Sequence, residues 1–594
     1  MKRLLASQFN PATLFVYIIL MMVAEIIQLN TSTWWDPLVA LIFNLLFYLA
    51  FGWTICLAAA ISGKTWGKLL HFFFHSAMVA YSASSLFLAL NFHRHWDAFT
   101  MQFLHETSPK EAGEFLTTYL SRWENVALIL CFTLLLLAEW WLNKHTAPRL
   151  LFPKNKLGKA GLVCLLATIG SHILFFQTDA NRNYDMAANF HSPIKRNALW
   201  NLWQSCLQYQ TFKKEFERCA ETQKAYREKP TCAETEADLV LIIGESFNKH
   251  MSNLYDGPYN TNPLLKARIT ENAVCEKNKQ AKAGKLFIFK DVIASDNGTT
   301  QNFKYLLSTA SVAGKDKGIA WCDRPLFPTI LRHCGFNVIF YSNQFAPNDN
   351  LGQWDASMGF VSHPAIEPYI FNHRNKRKFP YDLALINDYA EQCHALERQK
   401  QNLCIFHLYG QHVNFNERYP ETFKRFGPRD VSKNYLMRPN QTNQLDDNQR
   451  SEVATYLNAT AYNDSVVDRI IRLFDKRKAI IIYLADHGEE IHNFRRQYGR
   501  TDLTHDVPEA KHCQLDVPFL VYLTPRYLSA HPNITPRLTS ALSRKFMTDD
   551  LPQFIFDLLG VKSQYFIPQR SPINEKYLPP KRRKLQNGTY YDPR

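Results

Sequence analysis

The stretch AIIIYLADHGEE, residues 479–490, decides the fold class of this chain. Its opening run AIIIYLA is unbroken by charge, which is typical of a strand buried on both faces of a parallel sheet. The stretch DLVLIIGES, residues 238–246, has the same form. The first run leads into Asp486 and His487, and the second leads into Glu245. Functional side chains of open α/β sheets lie beyond the carboxyl ends of the strands, so these three residues mark a candidate site.

Glu245, Asp486 and His487 offer two carboxylates and one imidazole, a set of ligands that suits a divalent metal such as zinc. Further apolar runs alternate with helical patterns from residue 238 onward. That alternation predicts an α/β domain with a largely parallel sheet. The strands expected for this sheet are residues 239–243, 286–293, 337–341, 403–407, 480–484 and 517–523.

The first third of the chain has a different character. The 594 residues are too many for one ordinary domain, and residues 1–177 contain five long apolar runs. Most of these runs approach the roughly 20 apolar residues that cross a bilayer as a helix. We therefore expect a five-helix transmembrane domain, with helices near residues 14–28, 38–61, 70–92, 126–142 and 157–176. A cleavable signal peptide is the alternative for the first run, but no small-residue cleavage site follows it.

The positive charges beside these runs predict the orientation. Lys2 and Arg3 precede the first run, and Lys64 lies in the second loop. Residues 29–37, which form the first loop, contain no Lys or Arg. The positive-inside rule places the N-terminus in the cytoplasm, and an odd number of crossings then delivers the rest of the chain outside it. In a Gram-negative bacterium that compartment is the periplasm, so we expect a multi-pass inner-membrane protein.

Three segments are expected after the membrane domain. Residues 178–235 predict bridging helices, residues 236–575 predict the α/β domain with the candidate site, and residues 576–594 predict a basic, Pro-rich tail. The net charge of +15 includes this tail. An exported domain meets no nucleic acid, whereas anionic lipid head groups lie beside it, so attraction to the membrane surface is the expected use of the tail. A solvated basic surface without a partner is an equally good interpretation.

The cysteines raise the question of disulfides. Nine of the 12 cysteines follow residue 177. An oxidising compartment favours disulfides among them, and an odd number leaves at least one without an intrachain partner. Close spacing favours the pairs Cys322–Cys334 and Cys393–Cys404. No C-x-x-C motif occurs among the nine, which argues against a cysteine zinc site or a redox motif.

Three more segments follow or flank expected strands. They are ASDNGTTQ at residues 294–301, HLYGQH at residues 407–412 and THD at residues 504–506. Taken alone, a Thr pair after Gly is usually a turn or a helix N-cap, and a single His is usually a hydrogen-bonded surface residue. Their occurrence at several strand ends within one expected crevice favours a shared site instead.

Together these motifs resemble those of the membrane-bound phosphoethanolamine transferases of the alkaline-phosphatase/sulfatase superfamily. The resemblance covers nearly the whole chain, from the membrane helices through the bridging region to the α/β domain. Its motifs are IGES at residues 243–246, LYDGPYNTNP at 254–263, Thr300, His407-x-x-Gly-x-His412 continuing to RYP at 418–420, YND at 462–464, and DHGE at 486–489.

The resemblance implies a zinc ion held by Glu245, Asp486, His487 and the hydroxyl of a nucleophilic threonine. The metal would lower the pKa of that hydroxyl and make it a nucleophile at neutral pH. The threonine that matches the family is Thr300, with Thr299 as the alternative one residue away.

The resemblance also assigns two histidines beyond the zinc ligands. His412 and His505 are similar to histidines of the family that contact the donor phosphate or a second zinc. His512 is the alternative to His505. Some members flank the nucleophile with a disulfide, whereas residues 296–306 here contain no cysteine, which indicates a subgroup with a different acceptor.

The implied activity is transfer of phosphoethanolamine from phosphatidylethanolamine to a cell-envelope glycan or glycolipid, through a phosphothreonine. Lipid A, the lipopolysaccharide core and a periplasmic glucan are all open as acceptors. A phosphoglycerol transferase of the same superfamily and a non-catalytic membrane partner that retains the fold are the alternatives. A sulfatase is disfavoured because that chemistry needs a Cys or Ser that becomes formylglycine within a Cys/Ser-x-Pro-x-Arg sequence, and this sequence is absent.

Overall fold

The computed structural model of the chain falls into two compact units. One comprises Met1–Leu104 and Pro109–Gln210, and the other comprises His105–Ser108 and Thr211–Arg594. The residues that the structure describes are 8–9, 11–26, 45–52, 54–55, 58–59, 62, 64–92, 96, 113, 119, 122–145, 149–150, 214–278, 283–345, 359–397, 401–432, 444–494, 498–501, 503 and 508–593.

The first unit is helical. Its helices are α1 (Pro11–Ile26), α2 (Lys64–Phe92) and α3 (Trp123–His145), and Gln8–Phe9 pairs with Arg149–Leu150. Among the described residues, α3 alone is long and apolar enough to cross a membrane, and α1 contains a shorter apolar segment. Large apolar side chains of α3 are exposed, among them Trp123, Leu134 and Trp140. Exposed apolar surface of this extent is typical of contact with lipid or with other protein.

The five-helix prediction is tested only in part. The predicted runs 70–92 and 126–142 lie within α2 and α3, and the run 14–28 overlaps α1. The run 38–61 is described only in pieces, and the run 157–176 lies outside the described residues. The number of crossings therefore stays a prediction.

The second unit is built on a seven-stranded sheet. Its strands are β1 (Asp238–Gly244), β2 (Lys285–Phe289), β3 (Asn337–Ser342), β4 (His373–Arg374), β5 (Asn402–His407), β6 (Ala479–Ala485) and β7 (Phe519–Leu523). They lie in the order β2-β7-β6-β1-β5-β3-β4. All neighbours from β6 to β4 are parallel, whereas β7 runs antiparallel to both β6 and β2.

The sheet is therefore mixed rather than wholly parallel. Its centre is occupied by β1 and β6, whose residues are all buried, as their continuous apolar sequences predict. The predicted strand 286–293 is split, because β2 ends at Phe289 and Val292–Ile293 pairs instead with Phe546–Met547.

Helices pack on the sheet. They are α4 (Pro263–Asn278), α5 (Thr299–Leu307), α6 (Phe327–His333), α7 (Glu367–Ile370), α8 (Asp382–Leu396), α9 (Asp447–Phe474), α10 (Pro508–Leu515), α11 (Pro525–Ala530), α12 (Ile534–Ala541) and α13 (Leu551–Leu559). A helix over residues 214–225 precedes them, and its Phe216 and Cys219 belong to the same apolar core as the sheet.

The C-terminal segment forms a folded hairpin, although its composition predicted a basic tail. Arg583–Lys584 pairs antiparallel with Tyr590–Tyr591. Arg583 is only 1% exposed and forms ion pairs with Asp291 and Asp592. A buried guanidinium paired with carboxylates is not available to lipid head groups, so this part of the tail serves packing.

The two expected disulfides do not form. The described cysteines 131, 219, 232, 322, 334, 393, 404 and 513 are all free thiols. Cys404 lies in the middle of the buried strand β5, where its sulfur contacts the hydroxyl of Tyr389 at 3.1 Å. Cys393 lies on α8, where its thiol donates to the carbonyl of Ala390 at 3.2 Å rather than pairing with Cys404.

Candidate active site

The register of the two central strands brings the candidate metal ligands together. Strands β1 and β6 are parallel, and Gly244 lies opposite Ala485 at their carboxyl ends. The next residue of each strand is therefore a carboxylate, Glu245 after β1 and Asp486 after β6. His487 Nε2 lies 3.0 Å from Glu245 Oε1 and 3.4 Å from Asp486 Oδ2. The side chains of Glu245, Asp486 and His487 therefore lie together at the carboxyl ends of β1 and β6, as the sequence predicts.

Burial gives this cluster unusual electrostatics. Glu245, Asp486 and His487 are all 0% exposed. Burial and the charge of Glu245 hold the pKa of Asp486 well above its ordinary value. Burial opposes ionisation of Glu245 too, but His487, His412 and Arg500 outweigh it and hold the pKa of Glu245 well below its ordinary value. Two neighbouring buried carboxylates cannot both carry charge without a compensating cation.

The same cluster fits a divalent metal. Asp486 Oδ2 is buried and accepts no hydrogen bond among the described residues, so one carboxylate oxygen has a lone pair to give. The ligand atoms of Glu245, Asp486 and His487 all lie within 4.8 Å of one another. Two carboxylates and an imidazole, with room for one more oxygen, match the donor set of zinc sites.

Thr299 provides that additional oxygen. Helix α5 begins at Thr299, directly after Gly298. Thr299 Oγ1 donates a hydrogen bond to Glu245 Oε2 at 3.0 Å and lies 3.3 Å from His487 Nε2. The side chain of the next residue, Thr300, leaves the helix about 100° further round the axis and is 3% exposed. The structure therefore places the hydroxyl of Thr299, the alternative to Thr300, at the cluster.

Two polar residues to which sequence analysis assigned no role hold Glu245 in position. Gln344 Nε2 donates to Glu245 Oε2 at 3.1 Å and to the carbonyl of Leu408 at 2.9 Å. Ser246 Oγ donates to Glu245 Oε1 at 2.8 Å. Gln344 follows the carboxyl end of β3 by two residues, so the rule that identified Glu245 applies to it as well.

Arg500 is a third residue that sequence analysis missed. A two-stranded ribbon, Glu490–Ile491 paired with Tyr498–Gly499, carries it back to the cluster. Arg500 Nη1 donates to the carbonyl of Asn297 at 3.1 Å and lies 2.9 Å from His487 Nε2. Its Nε lies 3.6 Å from Glu489 Oε2. The site therefore contains a permanent positive charge beside the threonine and the candidate zinc ligands.

The histidines near strand β5 have different environments. His407 ends β5, is fully buried, and packs on Phe303 with ring centroids 4.4 Å apart. Burial lowers the pKa of His407 to about 3, so it is a neutral residue of the core. His412 is half-buried in the turn that follows β5, where its charge helps to hold down the pKa of Glu245.

The structure does not place either of the two remaining predicted histidines, His505 and His512, beside Glu245. His505 lies outside the described residues. His512, its alternative, lies with His250 and Asp516 in a second cluster rather than with Glu245. The role predicted for His505 is therefore untested, and His512 belongs to another part of the molecule.

The YND motif, residues 462–464, has a structural role in helix α9. Asn463 Oδ1 accepts a hydrogen bond from the hydroxyl of Tyr483 in β6 at 2.9 Å. Asp464 accepts from the backbone amides of Leu264 and Leu265 at 2.8 and 3.2 Å, at the start of α4. These contacts join α9 to the central sheet and to α4, behind the strand ends that carry the site.

Gly410 allows the turn after β5 to pass close to the backbone of Glu245. Its φ is +53°, and a Cβ at this position would lie 2.9 Å from both the backbone N and the backbone O of Glu245. Gly410→Ala is expected to displace Glu245 and to lower activity by about 100-fold, with reduced zinc content by metal analysis. Gly427→Ala is the matched control, because a Cβ there meets only Asp430 Oδ2 at 3.7 Å. Equal activity of the two variants would contradict this account of the turn.

The sequence profile of the sulfatase family matches residues 237–561, more than half of the chain. The chain belongs to the sulfatase family. The matched residues begin just before β1 and end after α13, so this sulfatase-family domain includes the whole seven-stranded sheet and the cluster of Glu245, Asp486 and His487.

Several curated relatives of the chain are phosphoethanolamine transferases. Phosphoethanolamine transferase EptC of Escherichia coli K12 is 24% identical over 344 residues, which cover 57% of this chain and 53% of that protein. Phosphoethanolamine transferase EptA of Helicobacter pylori is 25% identical over 306 residues, 49% of each chain. The chain thus spans about half the length of the curated relatives it matches.

One solved structure is similar over nearly the whole length. It is the integral membrane protein lipooligosaccharide phosphoethanolamine transferase A (EptA) from Neisseria meningitidis, with a TM-score of 0.61. The match covers 96% of this chain and 99% of that one at 14% identity, which establishes a shared fold. The predicted resemblance to membrane-bound phosphoethanolamine transferases of the alkaline-phosphatase/sulfatase superfamily is confirmed.

Proposed function

We propose that this sulfatase-family chain is a zinc-dependent phosphoethanolamine transferase with Thr299 as its nucleophile. The donor is phosphatidylethanolamine, and the acceptor is a hydroxyl group of a cell-envelope glycolipid or glycan. The observation that carries the proposal is the Thr299 hydroxyl, which lies within hydrogen-bond reach of Glu245 and His487 in a buried cluster that fits zinc. The phosphoethanolamine transferases among its relatives support the choice of the transferred group.

The chemistry proceeds by two displacements at phosphorus. Bound zinc would polarise the threonine hydroxyl and the phosphoryl group and so lower the pKa of the hydroxyl. Glu245 Oε2 accepts the hydrogen bond from Thr299 Oγ1 and so orients the attacking oxygen. Attack forms the bond from Thr299 Oγ1 to phosphorus and breaks the bond from phosphorus to the diacylglycerol oxygen, and the proton that Thr299 Oγ1 loses ends on the diacylglycerol hydroxyl. The acceptor hydroxyl then attacks the same phosphorus, the bond from phosphorus to Thr299 Oγ1 breaks, and the acceptor's proton returns to Thr299 Oγ1.

The start of helix α5 supports this role of Thr299. The helix dipole places partial positive charge at this end of the helix. Thr299 is the first residue of this helix, so a phosphoryl group on its oxygen lies at the helix N-terminus. Negative charge that develops on the phosphoryl oxygens is therefore stabilised in both steps.

Arg500 is expected to contribute in the same way. Its guanidinium is fixed by the Asn297 carbonyl and lies beside His487, where the phosphoryl oxygens of a bound donor would meet its charge. Arg500→Gln is expected to lower kcat/KM for the lipid donor by about 10²- to 10³-fold while zinc content is unchanged. Arg472→Gln is the matched control, because that side chain is 62% exposed on α9. Equal kcat/KM of the two variants would show that Arg500 has no part in the reaction.

The membrane location is part of the proposal. Both substrates are amphiphiles, and a membrane anchor holds the catalytic domain next to them. The exposed apolar side chains of α3 support contact of the first unit with lipid. The asymmetry of Lys and Arg in the sequence supports an inner-membrane protein with the catalytic domain in the periplasm.

Head-group analysis of the lipid substrate tests the proposed function. Full-length protein in vesicles that contain phosphatidylethanolamine labelled in the ethanolamine is expected to form diacylglycerol and to move the label to an added acceptor such as lipid A. Thr299→Ala protein should do neither. Diacylglycerol formed from phosphatidylglycerol, with phosphatidylethanolamine untouched, would replace the proposal with the phosphoglycerol transferase alternative.

A further inference from the structure

A second group of possible metal ligands lies apart from the catalytic cluster. We call it the outer cluster, and it consists of His250, His512, Asp516 and Tyr591. His250 lies in the short turn Lys249–Met251 after β1. His512 and Asp516 are one helical turn apart at the end of α10, where the Asp516 amide donates to the His512 carbonyl at 3.1 Å. Tyr591 comes from the C-terminal hairpin.

The side chains of the outer cluster converge on one carboxylate oxygen. Asp516 Oδ2 lies 3.1 Å from His250 Nε2 and 3.4 Å from His512 Nδ1. Ligand atoms of a tetrahedral zinc ion with bonds of 2.0–2.1 Å are about 3.3 Å apart. The ligand atoms of these three residues all lie within 4.8 Å of one another. Two of the three separations between ligand atoms are therefore close to those of a zinc site.

Tyr591 holds the carboxylate in the orientation that this geometry requires. Tyr591 Oη donates to Asp516 Oδ1 at 2.8 Å. It also lies 2.5 Å from His512 Nδ1, a contact that zinc bound at this nitrogen would replace. The second carboxylate oxygen, Oδ2, is thereby directed to the two imidazole nitrogens. Zinc sites commonly contain such a neighbour, which fixes a ligand by a hydrogen bond without touching the metal.

The ammonium group of Lys249 lies near the outer cluster. Lys249 Nζ lies 3.9 Å from Asp516 Oδ2, so the carboxylate also attracts this ammonium group. The hydrogen bond of the ammonium goes elsewhere, to the carbonyl of Lys290 at 3.1 Å. Asp516 Oδ2 therefore has its short contacts with the two histidines rather than with the lysine.

We propose that the outer cluster is a second zinc site, with His250 Nε2, His512 Nδ1 and Asp516 Oδ2 as ligands and a water molecule in the fourth position. Two imidazoles and one carboxylate are a common zinc donor set. The side chains of His250 and His512 are 28% and 20% exposed, so zinc can reach them from solvent. The ion would join the turn after β1 to α10, and Tyr591 would extend this connection to the C-terminal hairpin.

This inference does not depend on the proposed transferase activity. The catalytic cluster uses Glu245, Asp486 and His487, and none of these residues belongs to the outer cluster. Loss of outer-cluster zinc is therefore expected to leave catalytic zinc in place. The two sites can be removed separately and counted separately.

The test is the number of zinc ions per chain in purified full-length protein. Protein saturated with zinc and freed of excess metal by gel filtration is analysed by inductively coupled plasma mass spectrometry. His250→Gln/His512→Gln protein is expected to hold one zinc fewer than wild type, and His394→Gln, an exposed histidine of α8, is expected to match wild type. If the double variant aggregates, His250→Gln alone carries the same expectation.

A second measurement examines the support from Tyr591. Competition with a chromophoric chelator is expected to show that Tyr591→Phe weakens zinc binding at one site by about 10- to 100-fold, because one orienting hydroxyl is lost. Equal zinc content in wild type and in the folded histidine variants would overturn the proposal. Equal zinc affinities of wild type and Tyr591→Phe at every site would remove Tyr591 from it.

Discussion

Thr299→Ala is expected to lower phosphoethanolamine transfer by at least about 10³-fold, whereas Thr300→Ala keeps most of the wild-type activity. The reason is geometric: Thr299 Oγ1 lies 3.0 Å from Glu245 Oε2, one of the proposed zinc ligands. Without that oxygen no phosphoryl group can be held on the enzyme, and the first displacement has no attacking atom. The measurement is the rate of diacylglycerol release from phosphatidylethanolamine by full-length protein in vesicles.

Two controls separate loss of the nucleophile from loss of the fold. Thr299→Ser retains a hydroxyl and is expected to retain measurable transfer. Zinc content of Thr299→Ala should stay close to that of wild type, because Glu245, Asp486 and His487 remain. Full activity in Thr299→Ala together with loss in Thr300→Ala would return the nucleophile to the position that the family resemblance first indicated.

Asp486→Asn is expected to remove catalytic zinc and to abolish transfer. Zinc that binds only the folded protein stabilises it by about 4 kcal/mol at a free concentration 1,000 times its Kd, and the variant should lose this gain for the catalytic site. Without zinc, Asp486→Asn should be at least as stable as wild type. The asparagine removes one of two buried carboxylates that repel each other, so metal-free Asp486→Asn should unfold at a denaturant concentration no lower than that of metal-free wild type.

The outer cluster provides the matched control for this experiment. His250→Gln/His512→Gln protein should keep catalytic zinc and transfer, whereas Asp486→Asn should lose both. Chemical denaturation with and without a zinc chelator measures the free energy of unfolding of each protein, and metal analysis measures its zinc content. Zinc-dependent stabilisation of Asp486→Asn equal to that of wild type would contradict the assignment of Asp486 as a ligand.

The sequence predicts the core of this site because buried parallel strands have a distinctive composition. The apolar runs of β1 and β6 locate two adjacent strand ends, and the residue after each run is a candidate ligand. Adjacency of Glu245 and Asp486 then follows from the register of the sheet. The choice between Thr299 and Thr300 depends on where α5 begins, and helix starts are uncertain in sequence by more than one residue.

Other features depend on contacts between distant parts of the chain. Arg500 reaches the site only because a short ribbon folds back toward His487. Arg583 belongs to a stretch whose composition suggested an exposed tail, yet its partner Asp291 is nearly three hundred residues away. Neither contact has a periodic pattern or a motif that precedes folding, so the sequence gives no local signal for them.

Peptide mass spectrometry of the enzyme with its donor tests the central claim most directly. Full-length protein is incubated with phosphatidylethanolamine without acceptor, quenched in acid and digested with trypsin, which cuts after Lys290 and Lys304. The account predicts one phosphoethanolamine group on peptide 291–304, with fragment ions that place it on Thr299 and with no such group in Thr299→Ala. A group on Thr300, or a phosphoglycerol group in its place, would contradict the proposed nucleophile or the proposed donor respectively.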